Sequence, residues 1–80
     1  VAIPEALRVG SLAAAAGASA AIEAARAVLD SAGIDIDYVV VTDSHLGTAP
    51  SRGDARLLVA VTIDDTRLID NSAIEIGADR

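Results

Sequence analysis

Arg56-Leu57-Leu58-Val59-Ala60-Val61-Thr62-Ile63, then Asp64-Asp65, then Thr66-Arg67-Leu68-Ile69, is the stretch that decides the fold. Leu57, Val59, Val61 and Ile63 recur at every second position, the period of a pleated strand with one buried face. The intervening Leu58 and Ala60 are apolar as well, which suits a central strand covered on both sides. Asp64-Asp65 is short enough for a tight hairpin. Aspartate tolerates the unusual dihedrals of such turns and bonds its own backbone. Thr66–Ile69 therefore returns as an antiparallel partner.

Upstream, Ile34, Ile36, Tyr38 and Val40 alternate with Asp35, Asp37, Val39 and Val41. That pattern predicts another strand with the first set on its better-buried face. Val39, Val41, Leu58 and Ile69 are then expected on the second face of the sheet, as a docking surface. Between the strands, 43–54 reads as a loop, dense in breakers: Ser44, Gly47, Pro50, Ser51 and Gly53. The first third reads as helix. Pro4 suits a first turn, Ala6, Leu7 and Leu12–Ala16 favour helix, and Gly10 weakens its middle. Gly17 breaks it. Ser19 is positioned to cap a second helix over 19–32, with Glu23 in its first turn and Ile22, Ala25, Val28 and Leu29 on one face. Gly33 is a candidate left-handed cap. The fold class expected is α+β: a small two-layer domain, residues 1–80, with two N-terminal helices on a three-stranded antiparallel sheet.

Composition narrows the function. An 80-residue chain buries only about 60% of the surface its unfolded form exposes, and with no cysteine it has neither disulfides nor thiolate metal sites to add. Its net charge is −6, and all six basic residues are arginine. Such a field disfavours nucleic acid and anionic membrane as partners. The apolar fraction of 52% is raised by alanine, and Tyr38 is the only aromatic. No apolar run approaches the ~18 residues of a membrane helix. A soluble chain is expected. Val1 is not an initiator methionine, which points to a chain processed or excised from something longer.

Few residues could carry chemistry. His45 has no second histidine or cysteine to join in a metal site or triad, and reads as an exposed loop residue. Ser44, Thr48 and Ser51 lack a Gly-x-Ser-x-Gly setting, and no lysine exists for a dyad. Gly47–Gly53 resembles a phosphate loop but lacks Gly-Lys-Ser/Thr and a following helix. It reads as a surface connection from which Arg52 or Arg56 could reach a ligand or neighbouring domain. Asp35/Asp37 and Asp64/Asp65 are carboxylate pairs without further ligands. In a regular strand Arg67 and Asn71 share one face and Asp70 takes the other. The expectation preferred here is that Asp70-Asn71 leaves the ladder in an Asx-type turn that re-aims the chain toward Ile74 and Ile76.

Ala24–Asp30, Asp37-Tyr38, Arg56–Ala60 and above all Thr66-Arg67-Leu68-Ile69-Asp70-Asn71 together resemble the C-terminal domain of the pantothenate synthetase (pantoate–β-alanine ligase) family, in order and spacing, from about Val1 to Gly77. The family usually has glycine where Asp64 stands. The resemblance implies an ATP- and Mg²⁺-dependent ligase of the cytoplasm, working through a pantoyl adenylate that the amine of β-alanine attacks. It implies that the chemistry lies in an N-terminal Rossmann-like domain, absent here, with His-x-Gly-His-type and Ser-Ser-Arg-Asn-type motifs. Neither motif occurs in this sequence, so no catalytic, cofactor-binding or metal residue carries over to it. The implied role is a lid over that domain's active site, and the implied partners are that domain and a second copy of the enzyme. The alternative is a freestanding α+β interaction or dimerisation module.

Overall fold

A computed structural model describes residues 2–45, 47–50 and 52–77. Val1 and the candidate nucleophile Ser51 lie outside the described residues. Helix α1 (Ala2–Ala13) runs into a short 3-10 helix (Ala14–Ala16) and then α2 (Ala18–Ser31). Strands β1 (Asp35–Asp43), β2 (Gly53–Ile63) and β3 (Thr66–Ile76) form one antiparallel sheet in the order β1-β2-β3, with both helices on one side. The expected α+β architecture is the observed one.

The hairpin turns where the sequence places it. Ile63 pairs with Thr66, and Asp64 and Asp65 both hold positive φ, 51° and 67°. This is the twist-matched two-residue turn of hairpins, adopted without glycine at about 1–2 kcal/mol per residue.

Three expectations are corrected. The first concerns Asp70-Asn71. β3 does not end there: Asp70 pairs with Val59 and Asn71 with Leu58, and the ladder continues until Ile76 meets Gly53. β2 is long enough to template the whole strand, and Leu68, Asp70, Ser72, Ile74 and Ile76 keep one parity throughout. Asp70 still engages local backbone, since the Asn71 N–H donates to its Oδ1 at 2.7 Å, but from within the strand. One residue on, the Ser72 hydroxyl donates to the Ala73 carbonyl at 3.3 Å.

The second concerns β1. Ile36 pairs with Val61 but Tyr38 pairs with Ala60, so Asp37 is an extra residue, a bulge. Beyond it the alternation inverts. Val39 and Val41 are buried opposite Val59 and Leu57, while Tyr38 and Val40 face outward. Val39 and Val41 therefore belong to the core and not to the second face.

The third concerns α2. Gly17, at φ 118° and ψ 170°, occupies the N-cap position, no side chain caps the helix, and Ser19 and Glu23 lie inside it with Glu23 past the first turn. The 3-10 helix feeds Gly17 directly, in a conformation essentially restricted to glycine. At the other end the reading holds. Gly33 has φ 72°, its N–H bonds the Asp30 carbonyl, and the Ile34 N–H bonds the Leu29 carbonyl. These are the paired bonds of a Schellman cap, and Ile34 packs on the core beside them.

The core is built from Leu29, Leu57, Val59, Val61 and Ile76, fully enclosed, with Ala6, Ala14, Ala21 and Ala25 bringing the helices close. Each such Val, Leu or Ile contributes about 1.5–3 kcal/mol by leaving water. Gly10 sets the closest approach. A Cβ there would lie 2.5 Å from the Leu57 Cδ2 and 3.1 Å from the Ala21 carbonyl oxygen. The Ala14 carbonyl accepts from both the Gly17 and Gly77 N–H groups, at 3.0 and 2.9 Å, which ties the end of β3 to the turn between the helices. Among the described residues no helix is long and apolar enough to cross a membrane.

Candidate functional site

The sheet face away from the helices is the first candidate. Register puts Tyr38, Ala60 and Ile69 in one row across the three strands, and Val40, Leu58 and Asn71 in the next. Ala60 is fully covered, while Val40 and Ile69 remain exposed. Polar groups bracket these rows. At the hairpin end, the Arg67 Nε lies 3.2 Å from the Asp37 Oδ2, which also accepts from the Thr62 hydroxyl at 3.1 Å. The Arg67 guanidinium sits 5.8 Å from the centre of the Tyr38 ring, within cation–π range. The bulge makes this cluster possible, because it turns Tyr38 to the outer face next to Asp37. At the other end, Arg56 donates from Nη1 to the Asn71 Oδ1 at 2.5 Å. The predicted sharing of a face by Arg67 and Asn71 is observed, with Asp70 on the opposite side. These groups position one another. None forms a nucleophile–base pair.

The loop after β1 is organised by Asp43. Its Oδ1 accepts the backbone N–H groups of His45 (2.8 Å) and Gly47 (2.7 Å), and its own N–H bonds the Gly47 carbonyl. The Gly47 N–H, then that of His45, holds the carboxyl below its ordinary value of 3.8. A Cβ at position 47 would meet the Asp43 Oδ2 at 2.9 Å, so glycine suits this close approach. His45, Ser44 and Thr48 are exposed on the loop. Behind it comes β2, not a helix, so no dipole backs the phosphate-loop resemblance. Arg52 lies beside Gly77 at the foot of the loop. Among the described residues no group of three potential metal ligands occurs.

A third feature was not singled out from the sequence. Ser11, Leu12 and Ala15, at the end of α1 and in the 3-10 helix, face Ala73 and Ile74 of β3 across an open groove of about 470 Å³. Asp54 and Glu75 also border it, and they are directly paired across β2 and β3, with strand parity that turns them to the sheet face away from the helices. That pairing was legible by counting outward from the Asp64-Asp65 turn. The groove was not, because three elements build it.

Among the described residues these three features offer packing and charge. Comparison with known proteins agrees with the resemblance in the sequence. A family model described as pantoate-beta-alanine ligase matches residues 1–73. The chain is similar to the pantothenate synthetase of Mycolicibacterium smegmatis, 55% identical over 78 residues, which is 96% of this chain and 25% of that protein. It is also similar to those of Nocardia farcinica (49% over 79 residues, 98% of this chain and 25% of the relative) and Mycobacterium avium (47% over 77 residues, 95% and 25%). The chain spans about a quarter of the length of these curated relatives.

Proposed function

The chain belongs to the pantoate–beta-alanine ligase family, and from that premise we propose that it is the C-terminal lid domain of a cytoplasmic pantothenate synthetase. In this reading the parent enzyme activates pantoate with ATP and Mg²⁺, releasing pyrophosphate, and the β-alanine amine then displaces AMP from the pantoyl adenylate. The observation that carries the proposal is one of proportion. A match covering 96% of this chain accounts for 25% of the relative's length, and the described residues contain no grouping suited to adenylate chemistry. Asp54 and Glu75 are two carboxylates without a third ligand. In this reading Mg²⁺, ATP and the catalytic residues belong to the remainder of the polypeptide. The contribution of this domain is closure, which excludes water from an intermediate that water would hydrolyse.

The test compares the 80-residue chain with the full polypeptide in an assay for pantothenate formation dependent on ATP, pantoate and β-alanine. The full polypeptide is expected to turn over and the chain alone to remain at background. Turnover by the chain alone would overturn the assignment. A second reading, a freestanding interaction or dimerisation module, draws on the apolar outer rows at Val40, Leu58 and Ile69. A stable, inactive dimer formed by this chain without any larger ligase polypeptide would favour it.

A further inference from the structure

The hairpin end of the sheet carries an apolar shelf on its helix side. Ile63 stands opposite Thr66 and Leu68 opposite Val61, on the face that also carries the buried Leu57 and Val59. Ile63 and Leu68 nevertheless remain exposed. Carboxylates bracket them: Asp64 and Asp65 form the tip, and Asp70 follows Leu68 by two residues with the same parity. None of the three has an ion-pair partner among the described residues. Arg67, their nearest cation in sequence, is turned to the other face toward Asp37. The course of the helices shows what passes this shelf. α2 starts beside the 3-10 helix, whose Ala14 is bonded to Gly77, and delivers the chain to Asp35, which pairs with Thr62 near the hairpin. α1 runs the opposite way. Its last turn stands by Ile74, so its first turn lies toward the hairpin, on the side of β2 and β3, while α2 covers β1.

We propose that the segment of the ligase polypeptide leading into α1 covers this shelf, with an aliphatic side chain on Ile63 and Leu68 and a lysine or arginine among Asp64, Asp65 and Asp70. The inference rests on the reading of this chain as a C-terminal domain, in which the remainder of the polypeptide enters through α1. It adds where the entering segment lies and what chemistry holds it. Direction brings that segment over the shelf, and charge selects against the other occupant. A second copy of this hairpin would set the same three carboxylates against their own kind, in a chain whose net charge is −6. The arrangement is that of a small interface: an apolar centre with a charged rim.

Photo-cross-linking in the full polypeptide tests this. Thr66 is exposed at the edge of the shelf, opposite Ile63. Thr66→Cys is coupled to a benzophenone maleimide and irradiated, and the linked peptides are read by mass spectrometry. The main link is expected to reach the stretch within about ten residues upstream of Ala2, the span that an extended chain can lay across the shelf. Asp65→Lys with Asp70→Lys is expected to lower its yield about fivefold. If Thr66→Cys fails to fold, Ile63→Cys takes its place. Links confined to these 80 residues, or to a distant part of a polypeptide that makes pantothenate, would overturn the shelf assignment and leave the proposed function standing. A yield unchanged by the charge reversal would overturn it as well. A link between two polypeptides, read as a doubled mass, would assign the shelf to a second copy and overturn the inference. A folded, unlabelled polypeptide that makes no pantothenate would overturn the proposed function, with the linked peptide still reporting what covers the shelf.

Discussion

Leu68 and Ile74 lie on one strand and face the same side of the sheet, yet Ile74 is 7% exposed and Leu68 39%. Their side chains are alike and their strand parity is identical. What differs is cover. The end of α1 and the 3-10 helix lie over the C-terminal half of β3, where Gly77 is bonded to Ala14. The half carrying Leu68 and Ile69 is exposed along its length as it returns from the hairpin turn. Alternation in a sequence therefore tells which way a residue points, and only the packing of other elements tells whether anything waits there.

The contrast can be broken first at its covered end. Ile76→Ala removes a side chain that is 1% exposed and is expected to cost about 2–5 kcal/mol, whereas Ile69→Ala, at 58% exposure, should stay within about 0.5 kcal/mol. Urea midpoints at constant m-value measure both, and equal shifts would refute the division of the strand. Gly10→Ala comes next. Its methyl would press on Leu57 and the Ala21 carbonyl, an overpacking cost of about 1–3 kcal/mol, offset by up to about 1 kcal/mol of helix propensity. A net loss in thermal stability is expected, and a gain would mean that the helix–sheet contact has slack. At the uncovered end the sign reverses. Replacing Asp64-Asp65 by Asn-Gly relieves two left-handed residues, and a gain of about 1 kcal/mol is expected, read as a rise of about 4–8 °C in Tm.

The smallest effect concerns the loop at the covered end. Asp43 is held below its ordinary value of 3.8 in the fold, so in acid the unfolded chain binds more protons and stability rises with pH. Its contribution is complete above the ordinary carboxylate range and is lost as pH falls through the lower folded value. Asp43→Asn should flatten that part of the acid-unfolding curve. An unchanged curve would show that the bonds to the Gly47 and His45 N–H groups do not bias the ionised form.

Much of the fold is written locally. The hairpin, both helices and the Gly33 cap depend on residues a few positions apart. The bulge at Asp37 does not. Val39-Val40-Val41 can present either parity to a core, and only the register imposed by β2 decides between them. Ser19 looked like a cap because serine caps well, but the 3-10 helix hands the chain to Gly17 before Ser19 can serve. The candidate groove was hidden for a similar reason. Leu12 and Ile74 are distant in sequence, and their meeting depends on how α1 lies along β3. His45, Ser44 and Thr48, by contrast, were correctly read as surface.

The two small bonds on β3, from the Asn71 N–H to Asp70 and from the Ser72 hydroxyl to the Ala73 carbonyl, bear on how the molecule behaves in a crowd. In a two-residue hairpin the residues flanking the turn share their bonds, and alternate residues after them aim their amide groups away from the partner strand. Asn71 and Ala73 are such residues, so the groups occupied by Asp70 and Ser72 are ones an arriving strand would seek. An open edge of this kind invites sheet-to-sheet growth and, at high concentration, fibrils. Each short polar side chain here acts as a stopper on that growth, so the strand is shielded from its own kind without a helix laid over its edge.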